Sequence, residues 1–155
     1  MTEETQSTAL ATYREQFAAI DTRATELMDR WSIPVLRGSV AIIFIWFGAL
    51  KPLGISPAAE LVANTVYWMP PEIFVPILGV WEVAIGICLL YRPLIRVGLP
   101  LLFLQMVGTF LPVVLLPDVV FATFPYGLTL EGQYIAKNLV VIGAALVVGG
   151  TLREQ

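Results

Sequence analysis

The sequence predicts an all-α integral membrane protein, a four-helix bundle preceded by an amphipathic N-terminal helix. Three observations lead there. Of 155 residues, 57% are hydrophobic and only 14% charged, with a mean hydropathy of +0.80, against roughly 25% charged in an average soluble domain. Nine basic and twelve acidic side chains cannot cover that much apolar area in water. Finally, four windows approach the length of about 20 mostly apolar residues that a bilayer crossing needs, and in hydrocarbon such segments must be helices because the backbone has to satisfy its own hydrogen bonds.

Residues 1–32 form the first expected unit. The opening Met1-Thr2-Glu3-Glu4 has neither a basic start nor an early apolar core, so a signal peptide is not expected. From Thr8 the spacing of Leu10, Tyr13, Phe17, Ile20, Leu27 and Trp31 gives one apolar helix face. Two readings stay open for this arm: a helix lying at the membrane surface, or one that docks on another membrane subunit. The polar face mixes acids with arginines, so strong attraction to anionic lipid is not expected.

Residues 33–155 form the second unit, with spans at Ile33–Leu50, Ile73–Tyr91, Val97–Leu116 and Tyr134–Leu152. Pro70 and Pro71 precede the second span, where a missing N–H costs nothing. Trp31, Tyr67, Trp68, Tyr91, Tyr126 and Tyr134 fall near span ends, as an interfacial aromatic belt requires. Between the first two spans, Leu61, Val62, Thr65 and Trp68 suggest a short amphipathic helix within Ala58–Trp68. Pro100 and Pro112 are expected to kink the third span. Arg14, Arg23, Arg30 and Arg37, the Arg92–Arg96 turn and Arg153 all fall on one side, and the positive-inside rule makes that side cytoplasmic, with both termini. The expected location is a prokaryotic plasma (inner) membrane.

The composition also excludes functions. There is no histidine, the usual haem and metal ligand, and the lone Cys88 cannot form an internal redox pair. A net charge of −3 offers nucleic acid no basic surface. The chain therefore carries no self-sufficient redox group.

An ionisable side chain inside a membrane is costly unless paired, so it asks for a reason. Glu82 lies near the middle of the second span, on one face with Gly79 and Gly86, and should point into the bundle. Its expected partners are Lys51, at the end of a face formed by Arg37, Ala41, Phe44 and Gly48, and Lys137, which shares a face with Gln133 and Ala144 and stands beside Asn138. Both lysines lie two to three turns above the carboxylate, within reach of a long side chain. Gln105 and Thr109 could complete the cluster from the third span. It is either an ion pair that fixes helix register or a ligand or proton site. Trp46 and Trp81 could stack on a flat ligand such as a quinone, although core packing is the commoner reason for tryptophan at such positions.

Three stretches carry a family likeness: Arg37 through Lys51, with its Trp46-Phe47-Gly48-Ala49-Leu50-Lys51 ending; Gly79-Val80-Trp81-Glu82-Val83-Ala84-Ile85-Gly86; and Glu131-Gly132-Gln133-Tyr134-Ile135-Ala136-Lys137-Asn138-Leu139. Together they resemble the DoxX-like superfamily of four-span membrane proteins, in particular its YkgB-type branch, over roughly residues 37–149. The resemblance implies a four-helix bundle and singles out Lys51, Glu82 and Lys137. It also implies links to quinone-dependent oxidoreduction, redox-stress complexes and membrane-protein assembly. Pro52, Leu53 and Gly54 stand where the branch usually has aromatic residues, and Asn138 where an acid is common. The second departure removes a counter-ion beside Lys137.

The function expected from all this is an accessory or scaffold subunit of a membrane-bound redox or energy-converting complex, contacting other membrane subunits through residues 8–32 and its helix faces, with no metal and with quinone or lipid as the conceivable ligand. The alternatives are a quinone- or oxyanion-binding oxidoreductase subunit and a proton-linked carrier of a small solute.

Overall fold

Among the described residues, four helical stretches, Phe17–Leu50, Pro71–Leu90, Arg92–Leu115 and Leu130–Gly150, are long and apolar enough to cross a membrane. The computed structural model describes the backbone of residues 3–153 and the side chains of residues 13, 14 and 17–152. Thr8 and Leu10, where the apolar face of the arm was expected to begin, lie outside the described side chains. The first helix, α1 (Glu3–Leu50), runs for 48 residues and continues through Pro34, although proline cannot donate a hydrogen bond to the preceding turn. The chain forms two compact units, Met1–Val35 and Leu36–Gln155. In the first, Tyr13, Phe17, Ile20, Leu27, Met28 and Trp31 are all exposed.

The second unit contains the rest of α1 and all later elements. A short helix α2 (Ala59–Thr65) leads to α3 (Pro71–Leu90), and α4 (Ile95–Leu115) follows a single tight turn at Arg92–Leu94. Then come α5 (Pro117–Val120), an antiparallel pair β1 (Phe121–Thr123) and β2 (Gly127–Leu128), α6 (Leu130–Ala136) and α7 (Asn138–Gly150). The second and third crossings start two residues before the apolar windows do, because their first turns are proline or polar. Helix α4 continues without a break through Pro100 and Pro112.

Helix α3 packs on α4, α4 on α7, and α2 lies against both α3 and α4. The core takes residues from every crossing: Ala41 and Phe44 from α1, Ile85 and Leu89 from α3, Leu99, Leu102 and Met106 from α4, and Ala144, Ala145 and Val148 from α7. Lipid is as apolar as leucine, so burial alone does not bring these helices together; close backbone approach and dispersion contacts do. Between crossings, the tightest glycine contact joins α1 and α3. A Cβ on Gly48 would stand 2.7 Å from the Gly79 carbonyl oxygen, and one on Gly79 only 2.5 Å from that of Gly48. About two turns further along, a Cβ on Gly86 would meet the Ala41 carbonyl at 2.7 Å. These contacts set the antiparallel register, with Lys51 and Pro52 beside Gly79, the ninth residue of α3.

The fourth crossing differs from the expected Tyr134–Leu152 in two ways. It begins four residues earlier, at Leu130, because Thr129 caps it: the Thr129 hydroxyl accepts from the Gly132 N–H at 3.1 Å and donates to the Val119 carbonyl at 2.6 Å. It is also two helices, since the ladder breaks at Lys137, whose carbonyl accepts a three-residue bond from Val140. Helix α6 buries Gly132 and Ile135, with Gly132 close against the Val120 carbonyl, whereas α7 buries Ala144, Ala145 and Val148 in the core. The two halves thus use different faces. The α5–hairpin segment forms a cap with α2 at the end of the bundle opposite the Arg92–Leu94 turn. Thr129→Ala is expected to lower stability by about 1 kcal/mol, as loss of an N-cap does, measurable as a shift in the thermal midpoint by circular dichroism in detergent.

Candidate buried ion-pair site

Lys51 follows the last residue of α1, and its side chain is only 5% exposed. Side chains lean toward the N-terminus of their helix. For Lys51 that direction runs back along α1, away from the capped end and into the bundle. Glu82, one turn beyond Gly79 on α3, waits at that depth with its side chain 12% exposed. Because Gly48 and Gly79 lack side chains, the two backbones come close enough for the groups to meet.

Lys51 Nζ donates to Glu82 Oε2 in an ion pair, and Gln105 Nε2 of α4 donates to Glu82 Oε1 at 2.9 Å. Three crossings are thereby tied through one carboxylate. Both of its oxygens are occupied, its charge is balanced by the lysine, and among the described residues no buried side-chain nitrogen or oxygen lacks a partner. Removing charge from water is tolerable only under such conditions. Thr109, expected in the cluster, instead donates to the Gln105 backbone carbonyl at 3.0 Å and so braces α4.

Lys137 does not join this group. It is exposed, with Nζ 4.1 Å from the centroid of the Tyr134 ring, and Lys51–Glu82 is the one ion pair among the described residues. The physical reason is helix direction. The fourth crossing starts at the capped end, so a side chain leaning toward its N-terminus points back to the cap and away from Glu82. Gln133 is also exposed, and Asn138 Nδ2, at the start of α7, donates to the Tyr134 carbonyl of α6 at 3.0 Å, across the break at Lys137. The upper half of the face shared by Gln133, Lys137 and Ala144 therefore lies outside the core. Trp46 and Trp81 do not form an aromatic pocket: Trp46 is 63% exposed, while Trp81 is partly buried against the core.

What these features define is a small multi-pass integral membrane protein whose helices close around a neutralised, fully bonded carboxylate. The chain matches no known family model, no curated protein and no solved structure.

Proposed function

We propose that the protein is an accessory, non-catalytic subunit of a membrane-bound redox or energy-converting complex, with both termini on the cytoplasmic side of a prokaryotic plasma membrane and a kinship to the DoxX-like proteins. The observation that carries this reading is the saturation of Glu82. A carboxylate held by a lysine on one oxygen and an amide on the other has no free position at which to trade a proton for a solute, so a role in fixing the helices fits it better than a role in transport. The arginines at one end of the crossings support the orientation, and the three sequence stretches around Lys51, Glu82 and Lys137 support the kinship.

Purification from native membranes in mild detergent tests the proposal. Other membrane subunits are expected to travel with the chain in fixed ratio; recovery of the chain with copies of itself alone overturns the reading. Proteoliposomes carrying a pH gradient test the carrier alternative, which survives only if solute uptake occurs and Glu82→Gln abolishes it.

A second reading, a quinone- or oxyanion-binding oxidoreductase subunit, draws on Lys137. Its amine is free of Glu82 and stands at the capped end with Tyr134 and the exposed Gln133. Under that reading a bound quinone would be titratable in the purified protein and lost in Lys137→Ala. Under the accessory-subunit reading the same substitution leaves the redox titration unchanged.

A further inference from the structure

We propose that residues 13–31 of α1 pair with the same segment of a second copy of this chain in a parallel two-stranded coiled coil. The inference goes beyond the subunit reading and does not depend on it. Tyr13, Phe17, Ile20, Ala24, Leu27 and Trp31 follow one another at steps of four and three residues in alternation. That mean spacing of 3.5 is the period at which a helix seam stays against a partner as the two wind together, narrower than the stripe of a helix lying on a core. Five of the six side chains are more than half exposed, from 53% for Trp31 to 71% for Phe17.

Charge decides what covers the seam. The described side chains of the arm include three arginines, Arg14, Arg23 and Arg30, and three acids, Asp21, Glu26 and Asp29. With no net positive charge among them, the arm lacks the basic face that holds an interfacial helix to anionic lipid. A second copy is matched to it. With Tyr13 and Phe17 as consecutive d and a positions, Arg23 and Arg30 fall at g and Met28 and Val35 at the e positions they face in a parallel pair. No like charges are then opposed across the seam at these layers, and the arginine stems lie over apolar neighbours. Parallel pairing is also what a membrane imposes, since two copies inserted the same way carry α1 in the same direction. At roughly 150–250 Å² per buried aromatic, three aromatics and two branched aliphatics at these exposures bury on the order of 1,000 Å² between two arms, enough for a specific interface.

Site-directed disulfide trapping tests the proposal on the full-length chain in membrane vesicles. Cys88 is replaced by serine, and Ala24→Cys in the seam is compared with Thr22→Cys on the opposite face under a mild oxidant. Ala24→Cys is expected to yield a disulfide-linked dimer at least about tenfold more readily than Thr22→Cys, because a disulfide needs Cα atoms within about 7 Å. Absent or equal cross-linking at the two positions overturns the proposal, as does capture of a different protein by Ala24→Cys. A second readout guards against misfolding. The purified protein should show a dimer mass by light scattering, and Ile20→Asp with Leu27→Asp should convert it to a monomer of unchanged transmembrane helicity. A monomeric parent protein also overturns the pairing. None of these failures alters the co-purification result that tests the subunit reading.

Discussion

Lys51→Met is expected to destabilise the bundle by about 3–5 kcal/mol, the cost of leaving one member of a buried ion pair uncompensated. The substitution keeps the length and most of the volume of the side chain, so little of the loss comes from packing. What changes is that Glu82 keeps a charge, or must take up a proton, where only Gln105 remains to hold it. The measurement is reversible unfolding in mixed micelles, followed by circular dichroism. Adding Glu82→Leu to Lys51→Met removes the orphaned acid, and the double variant should recover most of the lost stability. The coupling energy of that cycle separates the pair from the separate effects of each residue. Equal losses that simply add would show that the pair does not organise the helices. The comparison is informative because a buried ion pair is a poor source of net stability. A well-behaved double variant would mean that the pair selects which surfaces of α1 and α3 meet more than it strengthens the meeting.

Gly79→Ala is expected to be comparably severe for a different reason. The new methyl group would sit 2.5 Å from the Gly48 carbonyl oxygen, 2.6 Å from Pro52 Cδ and 2.7 Å from Lys51 Cβ. The first of these is backbone, which cannot rotate aside, so the helices must separate. Overpacking of this kind costs about 1–3 kcal/mol. Here it also draws Lys51 away from Glu82, so the total should exceed what packing alone predicts. Gly108→Ala and Gly143→Ala supply the control. Nothing lies within 4 Å of a Cβ at either position, and replacing glycine within a helix should be neutral or gain up to about 1 kcal/mol. Thermal midpoints of the three variants in the same detergent decide the matter; a Gly79→Ala protein as stable as the two controls contradicts the tight α1–α3 contact.

The four crossings, the inward face of α1 through Ala41, Phe44, Gly48 and Lys51, and the inward position of Glu82 could all be read from spacing. Apolar runs and helical periodicity are local properties, and a bilayer leaves the backbone few alternatives. Gln105 was legible for the same reason, being a polar residue at matching depth on the next helix. Lys137 was misplaced because depth and face do not include the direction in which a side chain leans. Lys51 and Lys137 sit on the same side of Glu82, yet one belongs to a helix ending there and the other to a helix beginning there. Combining chain direction with the lean of helical side chains would have separated them. The change of face between α6 and α7 was hidden more deeply. A single helical wheel assumes an unbroken ladder, which the three-residue bond from Val140 to the Lys137 carbonyl interrupts, and the packing of Gly132 against the Val120 carbonyl in α6 is a tertiary contact that no local pattern announces. Turn formers did mark the cap, with Pro125 and Gly127 between Phe121 and Leu128, but strands of two or three residues are too short to show alternation.

The stop of α1 beside the ninth residue of α3 bears on the surrounding lipid. The first helix ends about 12 Å short of where α3 starts, at 1.5 Å per residue, and turns carrying the exposed Leu53 and Ile55 take over from it. Around α4 the hydrocarbon meets a wall of full height; around α1 it meets a lower one. A bilayer accommodates such mismatch by thinning locally, so the annulus should dip into a shallow depression on the α1 flank, drawing headgroups and water down toward the depth of the lysine.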